Sequence, residues 1–143
     1  MPLTELDLQL SKEELALYVP GEELTGILSA HVTGEPVKFS DFELAVEGQI
    51  KLHWTENKCR KVKGQDKVLD VLIPISKAFN NCLLPTGRSE VPFRVHLPTS
   101  LPYSYQDPVV RIRYQVVASL RVHGVFKSQR RVCRQFQTQS PMA

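Results

Sequence analysis

The chain has 143 residues, 42% of them hydrophobic, and carries a net charge of +3. That length builds one domain around one buried core, and that hydrophobic share excludes a disordered chain. A charge this small implies no polyanion partner by itself, so any such contact has to come from a local patch.

No apolar run approaches the roughly 20 residues that a membrane-spanning helix needs. The start, MPLTELDLQL, has neither a basic opening nor a long apolar block, so it is not read as a signal peptide and the chain is expected to be cytoplasmic. Cys59, Cys82 and Cys133 are odd in number and widely spaced. They are read as free thiols in a reducing compartment and not as a disulfide framework. His53 and Cys59 have no further ligand type close by, so no metal site is expected.

Period-two alternation runs through the chain. Leu6, Leu8 and Leu10 share one face. Leu15, Leu17 and Val19 repeat the pattern up to Pro20-Gly21, a turn pair in which glycine supplies a positive φ. Ser11 to Leu15 has the look of a capping box, enough for a single helical turn. Leu24 to Val32 is predicted as the next strand, and Gly34-Glu35-Pro36 breaks it. Phe42, Leu44 and Val46 open another strand, with a kink expected at Gly48 before Ile50, Leu52 and Trp54.

Thr55 to Asp66 is polar, carries Lys58, Arg60, Lys61 and Lys63, and is predicted to be a loop. Lys67 to Ile75 is rich in Val, Leu and Ile and is predicted as a well-buried strand. Ser76 to Gly87 connects it to Ser89–Leu97, where Val91, Phe93, Val95 and Leu97 face one way. Pro98 to Pro108 is an irregular crossover. Val110 to Val122 is the longest clean alternation. His123-Gly124 then turns the chain into a last strand, Val125 to Phe136, and the tail is predicted to fray. About eight strands with closely spaced turns indicate an all-β fold, an immunoglobulin-like sandwich of two facing sheets.

Five motifs in this order resemble the N-terminal domain of arrestin-fold proteins. They are YVPGEELTG at 18–26; Val46 to Trp54 with Gly48 inside it; Leu84 through Gly87 to Pro92-Phe93; the Leu-Pro segment from Leu97 to Ser104; and Ile112-Arg113-Tyr114-Gln115-Val116. The likeness spans about residues 5 to 137 and is nearest to the α-arrestins, with the arrestin-fold subunit of retromer also similar. It implies one arrestin-type sandwich over residues 1–143, without the second sandwich that such proteins normally carry. The chain is then a fragment or a one-domain member.

The resemblance further implies a non-catalytic adaptor or scaffold in membrane-protein trafficking, possessing no cofactor. The expected partners are proteins: membrane-cargo tails, coat components or ubiquitin-ligase machinery. Peripheral membrane contact and endosome association are further expectations. Alternatives are a fixed subunit of a retromer-like coat and a phosphoinositide-binding module. Two departures stand out. No Pro-Pro-x-Tyr motif occurs, and the first strand reads LDLQLSKEE, with Lys12 alone where visual-type arrestins carry paired lysines. Phosphate sensing by that route is therefore in question.

No catalytic or metal-ligating constellation is visible: there is no Gly-x-Ser-x-Gly elbow and no Gly-rich phosphate loop, and His31, His53, His96 and His123 are isolated. The candidate partner- or phosphate-binding residues are basic. Arg111, Arg113 and Arg121 share one side of a strand, and Lys127, Arg130, Arg131 and Arg134 lie on the next. If those strands pair, several guanidinium forks converge, a chemistry suited to phosphate and carboxylate. The alternative is a solvated face matched by acidic neighbours. Nucleic acid is not expected, since no exposed aromatics are interleaved. Trp54 and Phe93 are read as core anchors. Tyr103 and Tyr105 are expected to pack over the end of the sandwich.

Overall fold

The computed structural model describes residues 3–12, 16–57, 60–106, 109–122 and 128–139. Among the described residues the motif order of the sequence is realised as ten strands: β1 Leu3–Leu10, β2 Leu17–Tyr18, β3 Glu23–Thr33, β4 Val37–Asn57, β5 Arg60–Pro74, β6 Leu83–Leu84, β7 Gly87–His96, β8 Tyr105–Gln106, β9 Val110–Val122 and β10 Ser128–Thr138. They form two sheets, β1-β3-β7 and β2-β10-β9-β4-β5, with β6 on β4 and β8 on β9. All pairs are antiparallel except the short β2–β10 pair. The only helical pieces among the described residues are two short 3₁₀ turns, Ile75–Ala78 and Asn80–Cys82. No helix there is long and apolar enough to cross a membrane.

The expected alternation builds the core. Leu8 and Leu10 from β1, Leu24 and Leu28 from β3, and Phe93 and Val95 from β7 are buried against Leu44 and Val46 from β4, Tyr114, Val116, Ala118 and Leu120 from β9, and Phe136 from β10. The Phe136 ring lies 5.5 Å from those of both Tyr18 and Tyr114.

Two of the Pro/Gly motifs, far apart in sequence, are stitched together. Val19 to Glu22 forms a turn closed by the Glu22 N–H on the Val19 carbonyl at 2.9 Å, with Gly21 at φ +96°. The Gly21 N–H then donates to the Leu97 carbonyl, and the Leu97 N–H donates to the Glu22 carbonyl, both at 3.0 Å. Only glycine adopts that φ without strain. The crossover after Leu97 is tied down in its turn. The hydroxyls of Tyr114 and Thr138 both donate to the Pro102 carbonyl.

Several expectations need correction. Residues 55–57 and 60–66 are strand, because the β4–β5 ladder continues past its hydrophobic part, from Lys51 opposite Gln65 to Asn57 opposite Arg60. A ladder is held by backbone groups and does not need apolar side chains. β5 is an edge strand and not a buried one: Leu69 is buried but Leu72 is 59% exposed. On the segment before Pro20, Tyr18 is buried and Leu17 is exposed, the reverse of the predicted phase. Tyr103 and Tyr105 do not cap the sandwich; they are 48% and 52% exposed, and Leu101 supplies the buried contact instead. The kink at Gly48 is present as a register shift between Gly48 and Gln49. The Ser11–Leu15 turn, the His123-Gly124 turn, Lys58, Cys59 and the Trp54 side chain lie outside the described residues.

Candidate partner-binding site

In an antiparallel ladder, directly opposed residues put their side chains on the same face. On β9 the even positions from Tyr114 to Leu120 are buried, so the odd positions form the outer face of the larger sheet. Arg111, Arg113 and Arg121 stand on that outer face. Arg131, opposite Ser119, joins them. Arg130 and Arg134 do not. They oppose Leu120 and Val116, so their side chains leave from the core-facing side. Arg134 reaches the rim between the sheets, where its guanidinium meets the Asp7 carboxylate of β1 at 3.5 Å. Lys127 lies outside the described residues.

The outer arginines also divide along the strand. Arg121 is about 26 Å from Arg113 at about 3.3 Å per residue. It lies 3.8 Å from the Asp41 carboxylate on β4, an exposed pair of little energetic weight. Arg111 and Arg113 have a different neighbour. Lys51 of β4 is directly opposite Arg111, and Gln49 is opposite Arg113. With Glu47, Gln115 and Gln135 they line an open polar depression of about 160 Å³. Sequence reasoning missed Lys51. The signal was the alternation of Lys51 with Ile50 and Leu52, but only the β4–β9 register shows which arginine it faces.

A second feature is the free edge of β1. Among the described residues the strand pairs with β3 alone, and an open groove of about 480 Å³ runs beside it, lined by Asp7 to Lys12 and Arg134. The Lys12 ammonium is held 2.6 Å from the Glu22 carboxylate and 4.3 Å from the centre of the Tyr18 ring. Burial alone would raise the Glu22 pKa. The hydrogen bond and charge of Lys12 and the Val19 N–H outweigh it and hold the carboxyl below its ordinary range.

The sequence pattern described as Arrestin (or S-antigen), N-terminal domain, matches residues 6–139. The chain belongs to this arrestin family. Domains of this family generally serve as adaptors or scaffolds that bind protein partners, and they are generally non-catalytic. Among solved structures, the fold is similar to that of Spo0M, a sporulation control protein from Bacillus subtilis. The TM-score is 0.60 at 15% identity, and the match covers 96% of this chain and 49% of Spo0M. The chain thus spans about half of that relative's length, and at this identity the likeness concerns the arrestin fold alone. No curated protein matches the sequence.

Proposed function

We propose that this arrestin-type domain is an adaptor in intracellular membrane-protein trafficking that holds cargo tails or coat partners by strand addition along β1. The observation that carries the reading is the contrast between the two edges of the smaller sheet. The β7 edge contains Pro92, which has no N–H to offer, and it exposes Arg88, Glu90 and Arg94. Both features blunt an edge against pairing. The β1 edge has no proline from Leu3 to Leu10. The Ser11 N–H donates inward to the Thr25 carbonyl. By the alternation of the antiparallel ladder, Leu6, Leu8 and Leu10 then turn their N–H groups to the free edge. An extended segment docking there gains main-chain hydrogen bonds, and side chains beside the groove supply selectivity.

The test is hydrogen exchange on the whole chain, alone and with a partner identified by affinity capture and mass spectrometry. Fast exchange of the Leu6, Leu8 and Leu10 amides in the free chain, slowed at least tenfold in the complex, is the expected result. Protection elsewhere with those three amides unchanged would remove β1 as the docking edge.

A further inference from the structure

The larger sheet ends in a free edge of its own. Among the described residues β5 pairs with β4 and with no strand beyond it. The direction of its backbone groups follows from the ladder. Gln137 of β10 donates its N–H to the Ala16 carbonyl, on the side of β2, so the even residues of β10 bond to β9. Alternation carried through the β10–β9, β9–β4 and β4–β5 registers makes Leu69, Val71 and Ile73 the residues of β5 that bond to β4. Asp70 and Leu72 therefore turn their N–H and C=O groups to the free edge. Pro74, next in that series, has no N–H and closes it. The same stretch leaves apolar surface uncovered. Leu72 is 59% exposed, because Ala45, opposite it on β4, is too short to cover it. On the inner side Val71 and Ile73 are only half-buried, since the smaller sheet has three strands and the larger seven. An exposed apolar edge of this kind is an association site.

We infer that the partner at this edge is a second copy of the chain, joined antiparallel about a two-fold axis at Val71. In that register Asp70 of each copy is opposite Leu72 of the other, and the two residues exchange both backbone hydrogen bonds. Val71 then faces Val71, and Leu69 faces Ile73. The segment complements itself because its edge-facing residues are placed symmetrically about Val71, as an isologous two-fold contact requires. A folded copy also does what a flexible peptide does not. It brings its own half-buried Val71 and Ile73 to the inner side of the seam, where the two apolar flanks cover each other. Charge does not oppose the contact. Asp70, the one charge between Leu69 and Ile73, is already balanced by Lys67, 3.6 Å away on the same strand. β1 belongs to the other sheet, so such a dimer keeps both β1 edges open and presents them as a pair.

Sedimentation velocity of the full chain over a concentration series is expected to show a monomer passing to a dimer. Leu72→Asp sets a carboxylate directly opposite Asp70 of the other copy, and Leu72→Lys sets an ammonium there. Leu72 is exposed in the single copy, so both variants keep the fold, which an unchanged circular dichroism spectrum checks. Leu72→Asp is expected to dimerise about tenfold more weakly than Leu72→Lys, from like against opposite charges at both symmetric pairs. Cross-linking fixes the register. A non-hydrogen-bonded antiparallel pair has its Cα atoms about 4.5 Å apart, within the span of a disulfide. Val71→Cys should therefore form a covalent dimer under mild oxidation. Ile73→Cys should not, because the two copies of that position lie about 13 Å apart along the strands at ~3.3 Å per residue. The unsubstituted chain, with Cys59, Cys82 and Cys133, gives the background. A chain that stays monomeric at every concentration overturns the inference. So does equal dimerisation of Leu72→Asp and Leu72→Lys, or cross-linking of Val71→Cys no greater than that of Ile73→Cys. None of these results alters amide exchange along β1, so the two readings fall separately.

Discussion

The two faces of β9 do different work with the same thirteen residues. Inward, Tyr114, Val116, Ala118 and Leu120 are buried and join both sheets. Outward, Arg111, Arg113, Gln115, Ser119 and Arg121 contribute little to the core, and Arg111 and Arg113 are gathered with Lys51 of β4 where the ladder would prefer fewer like charges. Removing buried side chains should therefore cost stability, whereas altering the outward cations should change binding and barely touch the fold.

The largest effect tests the inward face. Phe136 on β10 is buried between the Tyr18 and Tyr114 rings. Phe136→Ala should destabilise the domain by about 3–5 kcal/mol in urea denaturation, the range for emptying a buried aromatic site. Its neighbour Gln135 points the other way, so Gln135→Ala should stay within about 0.5 kcal/mol. Similar losses for both would erase the distinction between the faces.

A smaller effect probes the point where the inward face is tightest. Tyr114 lies directly opposite Gly48, and a Cβ at Gly48 would come 2.5 Å from the ring carbon Cε1 of Tyr114. The ring cannot withdraw freely, because its hydroxyl is held on the Pro102 carbonyl. Gly48→Ala should cost about 1–3 kcal/mol, the usual penalty of overpacking. The Pro102 segment should also lose protection in hydrogen exchange. A cost below about 0.5 kcal/mol would mean that the ring swings aside and that the crossover is not anchored through it.

Much of this arrangement was legible in the sequence because it is local. The parity of Val110 to Val122 fixed which side of β9 is buried, and Pro20-Gly21 announced its own turn. The same parity separates Arg130 and Arg134, in step with Val132 and Phe136, from Arg131, so the split of the arginine group could have been drawn from one strand. Other features depend on pairing, which is not local. The polar ladder of residues 55–57 with 60–66 looks like loop because its stabilising groups are backbone. Leu17 and Tyr18 take their phase from two parallel partners on β10, Gln137 and Thr138. Lys51 becomes a candidate only when the β4–β9 register sets it against Arg111.

The smallest expected effect on stability sharpens the comparison most. If the outward cations are structural, Lys51→Gln should weaken the domain. If they are held together at a cost, removing one should relieve it. Cross-strand like-charge pairs are unfavourable by roughly 0.2–1 kcal/mol. Lys51→Gln should therefore stabilise the domain by a few tenths of a kcal/mol at low salt. The gain should shrink as salt is added, because exposed charges are screened within about 10 Å at 0.1 M. Urea denaturation at low and high salt measures both. Asp41→Asn at the other end of β9 supplies the opposite sign, since it leaves Arg121 without the carboxylate 3.8 Å away; a small loss, also fading with salt, is expected there. Were Lys51→Gln to destabilise the fold at every salt concentration, the cations would belong to the packing of the sheet. A gain that fades with salt would instead mark them as a charge cluster that the fold tolerates and an anion would relieve.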